Sequence, residues 1–500
     1  MRKSKLCAKH QRMGVKRNTA YNLGGAFAPA LLMLVSVPLY LGIIGDERYG
    51  LLAIVWLLTG YFGFFDFGLG QATAYKVARL PADEGPEASR ILWTAMVLNL
   101  GFGLIGAAII YIFAPLLFSS VFNTPDELLN ELEPTYLWIA LAIPITTLEG
   151  VFTGTLMGKG NFLALNMRAV LGALLVQVAP LAAVMLLSPT LEVAVPATVI
   201  ARALSLGFFA FLAFRTMNAT IMPRFGNSSL FREMLGYGGW VTLGKSVLQL
   251  VGNLDRFVIA AVLTPFAVTL YSIPFQLIAR GGQIPRALAS AMFPDFAKRN
   301  EEEARPLAIQ AIRANLAAMT LICFLLIVFF RPFLSIWIND DFAAKAGLAA
   351  SIITLSLWVN AVAIVAIMLL EAQGRPKATF FVSAIQALPY AALVIAGAVF
   401  GGIVGVALAR NARSILDAAL LCAFAGLLKM ALPLALLPGL TLVAAVIWNA
   451  AVESVIMWIG NLVLFVSCAV LAYRLFPEGF DILKAVFQRH ASNPARRGEF

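Results

Sequence analysis

Apolar runs about as long as a bilayer is thick follow one another through this chain from Tyr21 to Phe476. A membrane-spanning helix needs about 20 apolar residues, so runs of this length predict about fourteen helices. We place them at residues 19–44, 49–77, 88–118, 133–158, 162–187, 191–217, 232–262, 265–294, 306–333, 346–373, 376–399, 401–428, 431–450 and 453–476. With 61% hydrophobic and 13% charged residues, no soluble core of 500 residues could bury this much apolar surface. The sequence therefore predicts an all-α integral membrane protein.

Lysine and arginine cluster in every second gap between the apolar runs, and this pattern predicts the orientation of the chain. The cations ahead of the first run are Arg2, Lys3, Lys5, Lys9, Arg12, Lys16 and Arg17. Because basic loops stay in the cytoplasm, we expect both termini there, with Arg48 and Lys345 as exceptions to the alternation. The net charge of +11 then reflects loops that set orientation and contact anionic membrane lipids. Nucleic-acid binding is not predicted.

The inventory of reactive side chains excludes several kinds of site. Both histidines, His10 and His490, lie in the tails, and the four cysteines have neither metal-ligand spacing nor a disulfide pattern. The sequence also contains no nucleotide-binding glycine loop and no nucleophile motif. We therefore predict no catalytic residue, no metal site and no cofactor.

The loop spacing indicates an internal duplication. A shift of 219 residues places Gly63 on Gly282, and a shift of 214 places Gly160 on Gly374. Two parallel repeats of six helices are a transporter architecture, although any series of evenly sized helices looks repetitive. We divide the chain into a cytoplasmic basic tail at 1–18, six-helix bundles at 19–220 and 221–430, an additional helix pair at 431–476 and a second basic tail at 477–500.

Charged residues lie deep within several predicted spans, where each costs about 2.5–3.5 kcal/mol on an insertion scale. This deep set comprises Arg202, Lys245, Asp255, Arg256, Arg280, Arg410, Arg413 and Asp417. Packing alone does not offset such a cost, whereas water or an anion in a cavity does. The excess of cations therefore predicts an interior that accepts negative charge.

Helical spacing groups some of these residues with amides into three polar stripes. The stripes are Lys245, Gln249, Gly252 and Arg256 on the seventh helix, Thr269, Ser272, Gln276, Arg280 and Gln283 on the eighth, and Asn18, Asn22, Gly25 and Pro29 on the first. Polar stripes in lipid face the bundle interior or a wet cavity. Amides suit sugar hydroxyls, and Arg and Lys suit phosphate or uronate groups. We predict a substrate-binding cavity lined by Arg202, Lys245, Gln249, Arg256, Gln276, Arg280, Asn18 and Asn22.

Structural roles remain open for several of these charges. Arg202, Lys245, Arg256 and Arg280 could instead bridge helices or lie nearer the span ends. Asp255 could neutralise a cation beside it, and Arg413 and Asp417 have the spacing of an ion pair on one helix. Buried carboxylates also titrate nearer neutral pH, so Asp66, Glu149 and Asp255 are candidates for ion coupling. Capping or pairing is the alternative role for Asp66 and Glu149.

Several short motifs resemble the Wzx-type polysaccharide and O-antigen flippases. In the first two helices these are Arg17-Asn18-Thr19-Ala20-Tyr21-Asn22, Pro38-Leu39-Tyr40, Gly45, Tyr49-Gly50-Leu51 and Asp66-Phe67-Gly68-Leu69-Gly70. Later ones are Leu254-Asp255-Arg256-Phe257-Val258-Ile259, Thr264-Pro265, Leu270-Tyr271-Ser272-Ile273-Pro274 and Gly374-Arg375-Pro376-Lys377. Their order and spacing carry the resemblance to about residue 430, and the last two helices show no recognised signature.

This resemblance implies membership of the MOP superfamily, which also contains MATE-type multidrug exporters and the lipid II flippase MurJ. It implies a bacterial inner-membrane protein whose two six-helix bundles form a V around a cavity that opens alternately to each side. The implied substrate is an undecaprenyl-diphosphate-linked oligosaccharide that moves from the cytoplasmic to the periplasmic leaflet. The implied protein partners are polymerases and glycosyltransferases of polysaccharide assembly.

Three other functions remain as alternatives. A MATE-type multidrug/proton or sodium antiporter carries cationic substrates, which call for buried acids rather than the excess of buried cations in this chain. A membrane-bound glycosyltransferase, polymerase or ligase would need catalytic groups on a sizeable loop, which the predicted spans do not leave. A scaffold subunit without transport activity would not need interior charge.

Overall fold

The computed structural model describes the backbone of residues 2–61, 65–80, 85–217, 222–223, 225–226, 228–452 and 455–478, and the side chains of most of these. This described part of the chain is almost entirely helical. The α-helices are α1 (Arg2–Tyr61), α2 (Leu69–Ala78), α3 (Gly85–Leu116), α4 (Asp126–Leu132), α5 (Tyr136–Gly158), α6 (Phe162–Leu186), α7 (Leu191–Met217), α8 (Ser228–Val262), α9 (Pro265–Gly281), α10 (Gln283–Ala297), α11 (Glu301–Trp337), α12 (Asp340–Ala372), α13 (Pro376–Phe424), α14 (Leu428–Ala451) and α15 (Val455–Leu475). A π-helical turn at Leu117–Val121 follows α3, and a 3₁₀ turn at Glu133–Thr135 joins α4 to α5.

Nine helical segments of the described chain are long and apolar enough to cross a membrane. The prediction of a multi-span, helical membrane protein is confirmed. Two of the helices contain a non-helical residue where the sequence predicts a boundary between spans: Gly45 in α1, with φ 80°, and Gly402 in α13, with φ 55°. Glycine suits both positions because it adopts positive φ without steric cost. The number fourteen and the arrangement of two bundles stay predictions.

Two of the predicted spans are interrupted in the structure. In the span predicted at 49–77, α1 ends at Tyr61 and α2 begins only at Leu69. In the span predicted at 265–294, α9 ends at Gly281 and α10 begins at Gln283. The sequence shift of 219 residues brings residue 63, which lies outside the described residues, onto Gly282. Interrupted helices at corresponding places in two repeats commonly mark transporter binding sites, so these breaks are consistent with the predicted duplication.

The chain divides into two compact units, Met1–Thr269 and Leu270–Phe500. In the first unit, α5 packs against α2 through glycines one turn apart. A Cβ on Gly154 would lie 1.8 Å from the carbonyl oxygen of Gly70, and one on Gly158 would lie 2.6 Å from that of Ala74. Small residues at this spacing allow helix backbones to approach closely in lipid. The predicted domain boundaries at 220 and 430 stay predictions.

In the second unit, α12 is the most buried of the candidate spans and packs against α10, α11, α13 and α14. The two halves of α13 approach closely around Gly402, where a Cβ on Gly397 would lie 2.5 Å from the carbonyl oxygen of Gly405. The final helices, α14 and α15, are joined by a reciprocal pair of hydrogen bonds between the side-chain amides of Asn449 and Asn461, each 3.0 Å long. These contacts position α12 and α13, which line the cavities described below.

The two cations that depart from the charge alternation are both paired with acids. Arg48 Nη2 lies 2.5 Å from Glu131 Oε1, and Glu131 Oε2 accepts a hydrogen bond of 3.0 Å from the backbone N–H of Leu191, at the start of α7. Lys345 Nζ lies 2.7 Å from Asp341 Oδ2, one turn earlier on α12. Both cations therefore form ion pairs within the protein, which is a role other than setting the orientation of the chain in the membrane.

Candidate substrate-binding site

The predicted stripe on the seventh helix falls on α8, in the first unit. Gln249 is exposed and its amide donates to the carbonyl oxygen of Gly60 at 3.3 Å. Arg256 is half-buried and donates to the side-chain oxygen of Asn253, while the fully buried Asp255 accepts a hydrogen bond of 2.9 Å from the Arg256 backbone N–H. The side chains of Asn18, Asn22 and Lys245 lie outside the described residues.

The predicted stripe on the eighth helix is not a uniform polar face. Thr269 is buried in the first unit and donates to the carbonyl oxygen of Asp46 at 2.7 Å. In the second unit, Ser272 is buried, Gln276 is half-buried and Arg280 is exposed. The stripe thus includes packing positions as well as accessible ones. Its last residue, Gln283, belongs to α10, because α9 ends at Gly281.

Asp66 occupies a capping position in the first unit. Its carboxylate accepts the backbone N–H of Gly70 at 3.1 and 3.3 Å, at the start of α2. The carboxylate also lies against α5, where a Cβ on Gly150 would approach it to about 3.0 Å. Carboxylates at a helix N-terminus are stabilised by the free N–H groups there. The capping role considered for Asp66 therefore has direct support, and its role in ion coupling stays a prediction.

A compact charge cluster in the first unit joins α5, α6 and α7. Arg168 Nη2 donates to Glu149 Oε2 at 3.0 Å, with 30% and 15% of the two side chains exposed. Arg202 Nη1 donates to Thr146 Oγ1 at 3.4 Å, and its buried Nε has no hydrogen-bond partner among the described residues. Glu149 is therefore paired with Arg168, and Arg202 is close enough to interact with it electrostatically. The cluster has an ion pair that holds α5 against α6.

A cavity of about 180 Å³ lies within the second unit, between α9, α10, α12 and α13. Its described polar lining residues form three pairs at helical spacing: Gln283 and Arg286, Ser356 and Asn360, and Arg410 and Ser414. Two of these are cations, and none of the described lining residues is acidic. The cavity therefore presents hydrogen-bond donors and positive charge to whatever occupies it.

The orientation of the cavity side chains is partly fixed by packing. The Arg410 guanidinium lies over the Phe275 ring, 4.4 Å from its centroid. The Ser356 hydroxyl is buried and has no hydrogen-bond partner among the described residues. Arg286 is exposed and lies on α10, one turn after Gln283. A hydroxyl buried at a cavity wall without a partner calls for a bound acceptor, donor or water.

An apolar groove of about 1000 Å³ also lies within the second unit, against α12, α13 and α14. Its lining is formed almost entirely by aliphatic side chains, such as those of Leu355, Leu408, Leu436 and Leu440. On α12, Leu355 and Val359 face this groove, while Ser356 and Asn360 face the polar cavity. The same two helices, α12 and α13, therefore present one face to a polar cavity and another to an apolar groove.

Sequence reasoning identified Arg410 as a deep charge but did not assign it to the site, and it missed Arg286. The polar pairs at i,i+3 and i,i+4 within apolar spans are the signal that could have found both. Arg413 and Asp417, predicted as a pair, have other contacts: Arg413 lies over the Tyr390 ring at 4.8 Å, and Asp417 accepts from the Gln386 amide at 3.0 Å. An ion pair between them stays a prediction.

Comparisons with known proteins give consistent results. The family model described as polysaccharide biosynthesis protein matches residues 15–300, more than half of the chain. A Shigella flexneri protein named "Putative O-antigen transporter" is 24% identical over 414 residues, which cover 82% of this chain and 97% of that protein.

Solved structures of the MOP superfamily share the fold. The lipid II flippase MurJ, in an inward closed conformation, aligns with a TM-score of 0.70 at 14% identity, over 91% of this chain and 99% of that one. An inward-facing MATE family multidrug resistance transporter aligns with a TM-score of 0.67 at 15% identity. The alignment covers 81% of this chain and 95% of that one. A MOP superfamily transporter from Pyrococcus furiosus, described as having a binding pocket of reversed polarity, aligns with a TM-score of 0.51 at 13% identity. The alignment covers 83% of this chain and 94% of that one.

Proposed function

Because this chain belongs to the polysaccharide biosynthesis protein family, we propose that it is a flippase for a lipid-linked oligosaccharide in the inner membrane of a bacterium. The relative named as an O-antigen transporter, which matches along 97% of its length, supports an oligosaccharide substrate. The MurJ-like fold supports a lipid-linked form of that substrate. The proposed movement is from the cytoplasmic to the periplasmic leaflet, with undecaprenyl diphosphate as the carrier.

The observation that carries this proposal is the pairing of a polar, cationic cavity with an apolar groove along α12 and α13. A lipid-linked oligosaccharide is amphiphilic and needs both environments. Its prenyl chain gains about 0.8 kcal/mol for each CH₂ group kept in an apolar surrounding. Its diphosphate and sugars need donors and positive charge, which Arg286 and Arg410 provide in the cavity.

Alternating access is the proposed mechanism of movement. A hydrocarbon layer about 30 Å thick excludes the charged head group, so the head group must cross through a polar interior that never opens to both sides together. The prenyl chain can remain in lipid throughout. Arg202, Lys245, Gln249, Arg256, Gln276, Arg280, Asn18 and Asn22 are proposed to line that interior, with Asp66, Glu149 and Asp255 as candidates for ion coupling.

A MATE-type multidrug/proton or sodium antiporter is the second candidate, because the MATE fold aligns with a TM-score of 0.67. A cationic drug would meet Arg286 and Arg410 in a cavity whose described lining has no acid. Like charges at close range cost several kcal/mol in an interface, so this cavity disfavours such a substrate. An enzymatic role has no support from the family or from its relatives, which indicate a transporter.

Deletion of the gene tests the proposed function. We expect lipid-linked oligosaccharide to accumulate in the inner leaflet and surface polysaccharide to be lost, with both restored by the wild-type gene. Accumulation in the outer leaflet would instead indicate a polymerase or ligase defect and would contradict a flippase. Cysteines at Ser120 and Lys298 test the predicted topology, since they should be labelled from opposite sides of the membrane.

A further inference from the structure

We infer that Asp417 and Gln386 form a proton-binding site, in which the Asp417 carboxyl group takes up and releases a proton while it stays hydrogen-bonded to the Gln386 amide. The site lies in the second unit, between the two halves of α13 at residues 376–401 and 403–424. This inference goes beyond the proposed function, because nothing in the site depends on the molecule that the protein transports.

The two halves of α13 lie side by side and are joined by side-chain contacts. Gln386 Nε2 donates to Asp417 Oδ1 at 3.0 Å, and the Arg413 guanidinium lies over the Tyr390 ring, 4.8 Å from its centroid. In one straight helix, residues 31 positions apart would be separated by about 46 Å, at about 1.5 Å for each residue. The chain reverses at Gly402, where φ is 55°, and this reversal brings Gln386 to Asp417.

The position of Asp417 makes its charge costly. The residue is half-buried and lies near the middle of the span predicted at 401–428, where an ionised side chain costs about 2.5–3.5 kcal/mol on an insertion scale. Among the described residues, its carboxylate accepts one hydrogen bond, which comes from Gln386. Uptake of a proton removes the charge and this cost together.

The Gln386 amide can bond the carboxyl group in either protonation state. Gln386 is only 2% exposed; its Nε2 also donates to the Val382 carbonyl oxygen at 2.9 Å, whereas its buried Oε1 has no hydrogen-bond partner among the described residues. An ionised carboxylate can only accept, and it accepts from Nε2. A protonated carboxyl group also donates, and Oε1 is the acceptor that its O–H group needs. Because an unpaired buried acceptor costs about 1–3 kcal/mol, this second bond favours the protonated form.

One cation acts on the site from the same half of α13. Arg413 precedes Asp417 by one turn and interacts with it electrostatically, while Arg410 lies two turns away and lines the cavity. The helices packed beside α13, and those that share its cavity, carry charge only near their ends. These residues are Arg280 on α9, Arg286 and Asp295 on α10, Asp340, Asp341, Lys345 and Glu371 on α12, and Lys429 on α14. Arg413 therefore opposes proton uptake by Asp417, whereas burial and the Gln386 acceptor favour it.

The polar cavity gives the proton a route to Asp417. Ser414 lines this cavity and precedes Asp417 by three residues, so the two side chains lie on one side of the helix. The cavity volume of about 180 Å³ is several times the roughly 30 Å³ that a water molecule occupies in the liquid, so the cavity has room for several waters. A hydronium ion in this water donates the proton to the carboxylate, and release returns the proton to the same water.

Protonation changes how firmly the two halves of α13 are joined. Two hydrogen bonds replace one when the carboxyl group carries a proton. The second half lines the cavity through Arg410 and Ser414 and the apolar groove through Leu408 and Ile415. Proton uptake at Asp417 thus affects a helix that forms a wall of both.

Infrared difference spectroscopy at a series of pH values tests the site on the purified full-length protein in lipid nanodiscs. As the pH is lowered, we expect the wild type to show a carbonyl stretching band of a protonated carboxyl group that Asp417→Asn lacks. The matched control is Asp295→Asn, which removes an exposed acid near the end of α10 and should keep this band. A permanent ion pair with Arg413 would keep Asp417 ionised. A folded Asp417→Asn variant with the same bands as the wild type at every pH would therefore overturn the inference.

Gln386→Leu is the second variant, because it removes the amide and keeps the carboxyl group. Hydrogen bonding lowers the frequency of a carbonyl stretch, so the band of protonated Asp417 should move to higher frequency in this variant. An unchanged frequency in the folded variant would show that the amide does not bond the protonated carboxyl group, and would also overturn the inference. Gln386→Leu carries the test alone if Asp417→Asn does not fold. All these outcomes leave the flippase proposal intact, which fails instead if the deletion strain accumulates no lipid-linked oligosaccharide in its inner leaflet.

Discussion

The cations of the two units have different surroundings. In the first, Arg168 is paired with Glu149 and Arg48 with Glu131. In the second, Arg286 and Arg410 face a cavity whose described lining has no acid. The comparison shows that the number of deep cations does not identify a binding site in a membrane protein. The positions of the acids decide which cations hold helices together and which can hold a ligand.

The difference predicts different consequences of mutation. Removal of one partner of a buried ion pair leaves the other charge without compensation, so the loss appears as reduced stability. Arg410 lines a cavity and lies over the Phe275 ring, and under the proposed function we expect its replacement to appear mainly as reduced transport. Three substitutions test this distinction and a fourth, Asn449→Leu, adds an uncharged pair for comparison; they follow from the largest expected effect to the smallest.

Arg410→Glu should reduce polysaccharide export by about two orders of magnitude. Truncation of a buried charged contact at an interface costs about 2–5 kcal/mol, and a reversed charge also repels the anionic substrate. Surface polysaccharide is the measurement, with membrane abundance of the variant as a control. Arg280→Glu is the informative comparison: Arg280 is exposed and outside the described cavity lining, so its effect should be smaller. Equal losses for both would place the site elsewhere.

Glu149→Gln should lower the free energy of unfolding by about 3 kcal/mol, because it leaves Arg168 unpaired and Arg202 without a nearby acid. Chemical denaturation in detergent measures the change. A double variant, Glu149→Gln with Arg168→Gln, should recover part of the stability, since both charges are then absent. If the double variant is no more stable than Glu149→Gln alone, the pair does not hold α5 against α6.

Asn449→Leu should destabilise the protein by about 0.6–1.7 kcal/mol, the range measured for side-chain hydrogen bonds within membranes. The substitution leaves the Asn461 amide without its partner in an apolar environment. Adding Asn461→Leu should restore stability, since two leucines replace a satisfied amide pair without leaving a buried polar group. Failure of this rescue would show that the hydrogen bond of 2.8 Å from the Asn449 amide to the Ala445 carbonyl oxygen also contributes to stability.

Lys345→Gln should change stability by less than about 0.5 kcal/mol. The Lys345–Asp341 pair is 49% and 69% exposed and lies within one helix, so solvent screens most of its attraction. Chemical denaturation in detergent measures the change, and the loss of unfolding free energy in Glu149→Gln is the reference for its size. A loss as large as that of Glu149→Gln would mean that exposure does not separate structural from dispensable pairs in this chain.

The helical, multi-span character of the chain followed from the sequence. Apolar length and loop charge predicted a multi-span helical protein, and the predicted span boundaries near residues 45 and 400 coincide with the positive φ of Gly45 and Gly402. These features depend on local composition, which a sequence displays directly. Of the two exceptions to the charge alternation, Lys345 pairs one turn away on its own helix, whereas Arg48 pairs with Glu131, which the sequence does not reveal.

The site was less predictable because it depends on where a helix stops. The predicted stripe from Thr269 to Gln283 assumed one continuous helix, whereas α9 ends at Gly281. The cavity lining includes Arg286, beyond this break, and does not include Arg280, before it. Likewise, the pairing of Glu149 with Arg168 depends on how α5 and α6 pack, and no spacing within either helix reveals it. Contacts between helices decide both cases.

The amide pair between Asn449 and Asn461 limits how the last two helices can move. Pulling α14 and α15 apart would break both hydrogen bonds between these amides in hydrocarbon, where each unsatisfied group costs several kcal/mol. Sliding both together breaks neither hydrogen bond. Since α14 forms one wall of the apolar groove, widening the groove by moving α14 requires α15 to travel with it. We therefore expect α14 and α15 to move as one unit in any rearrangement that changes the width of the groove.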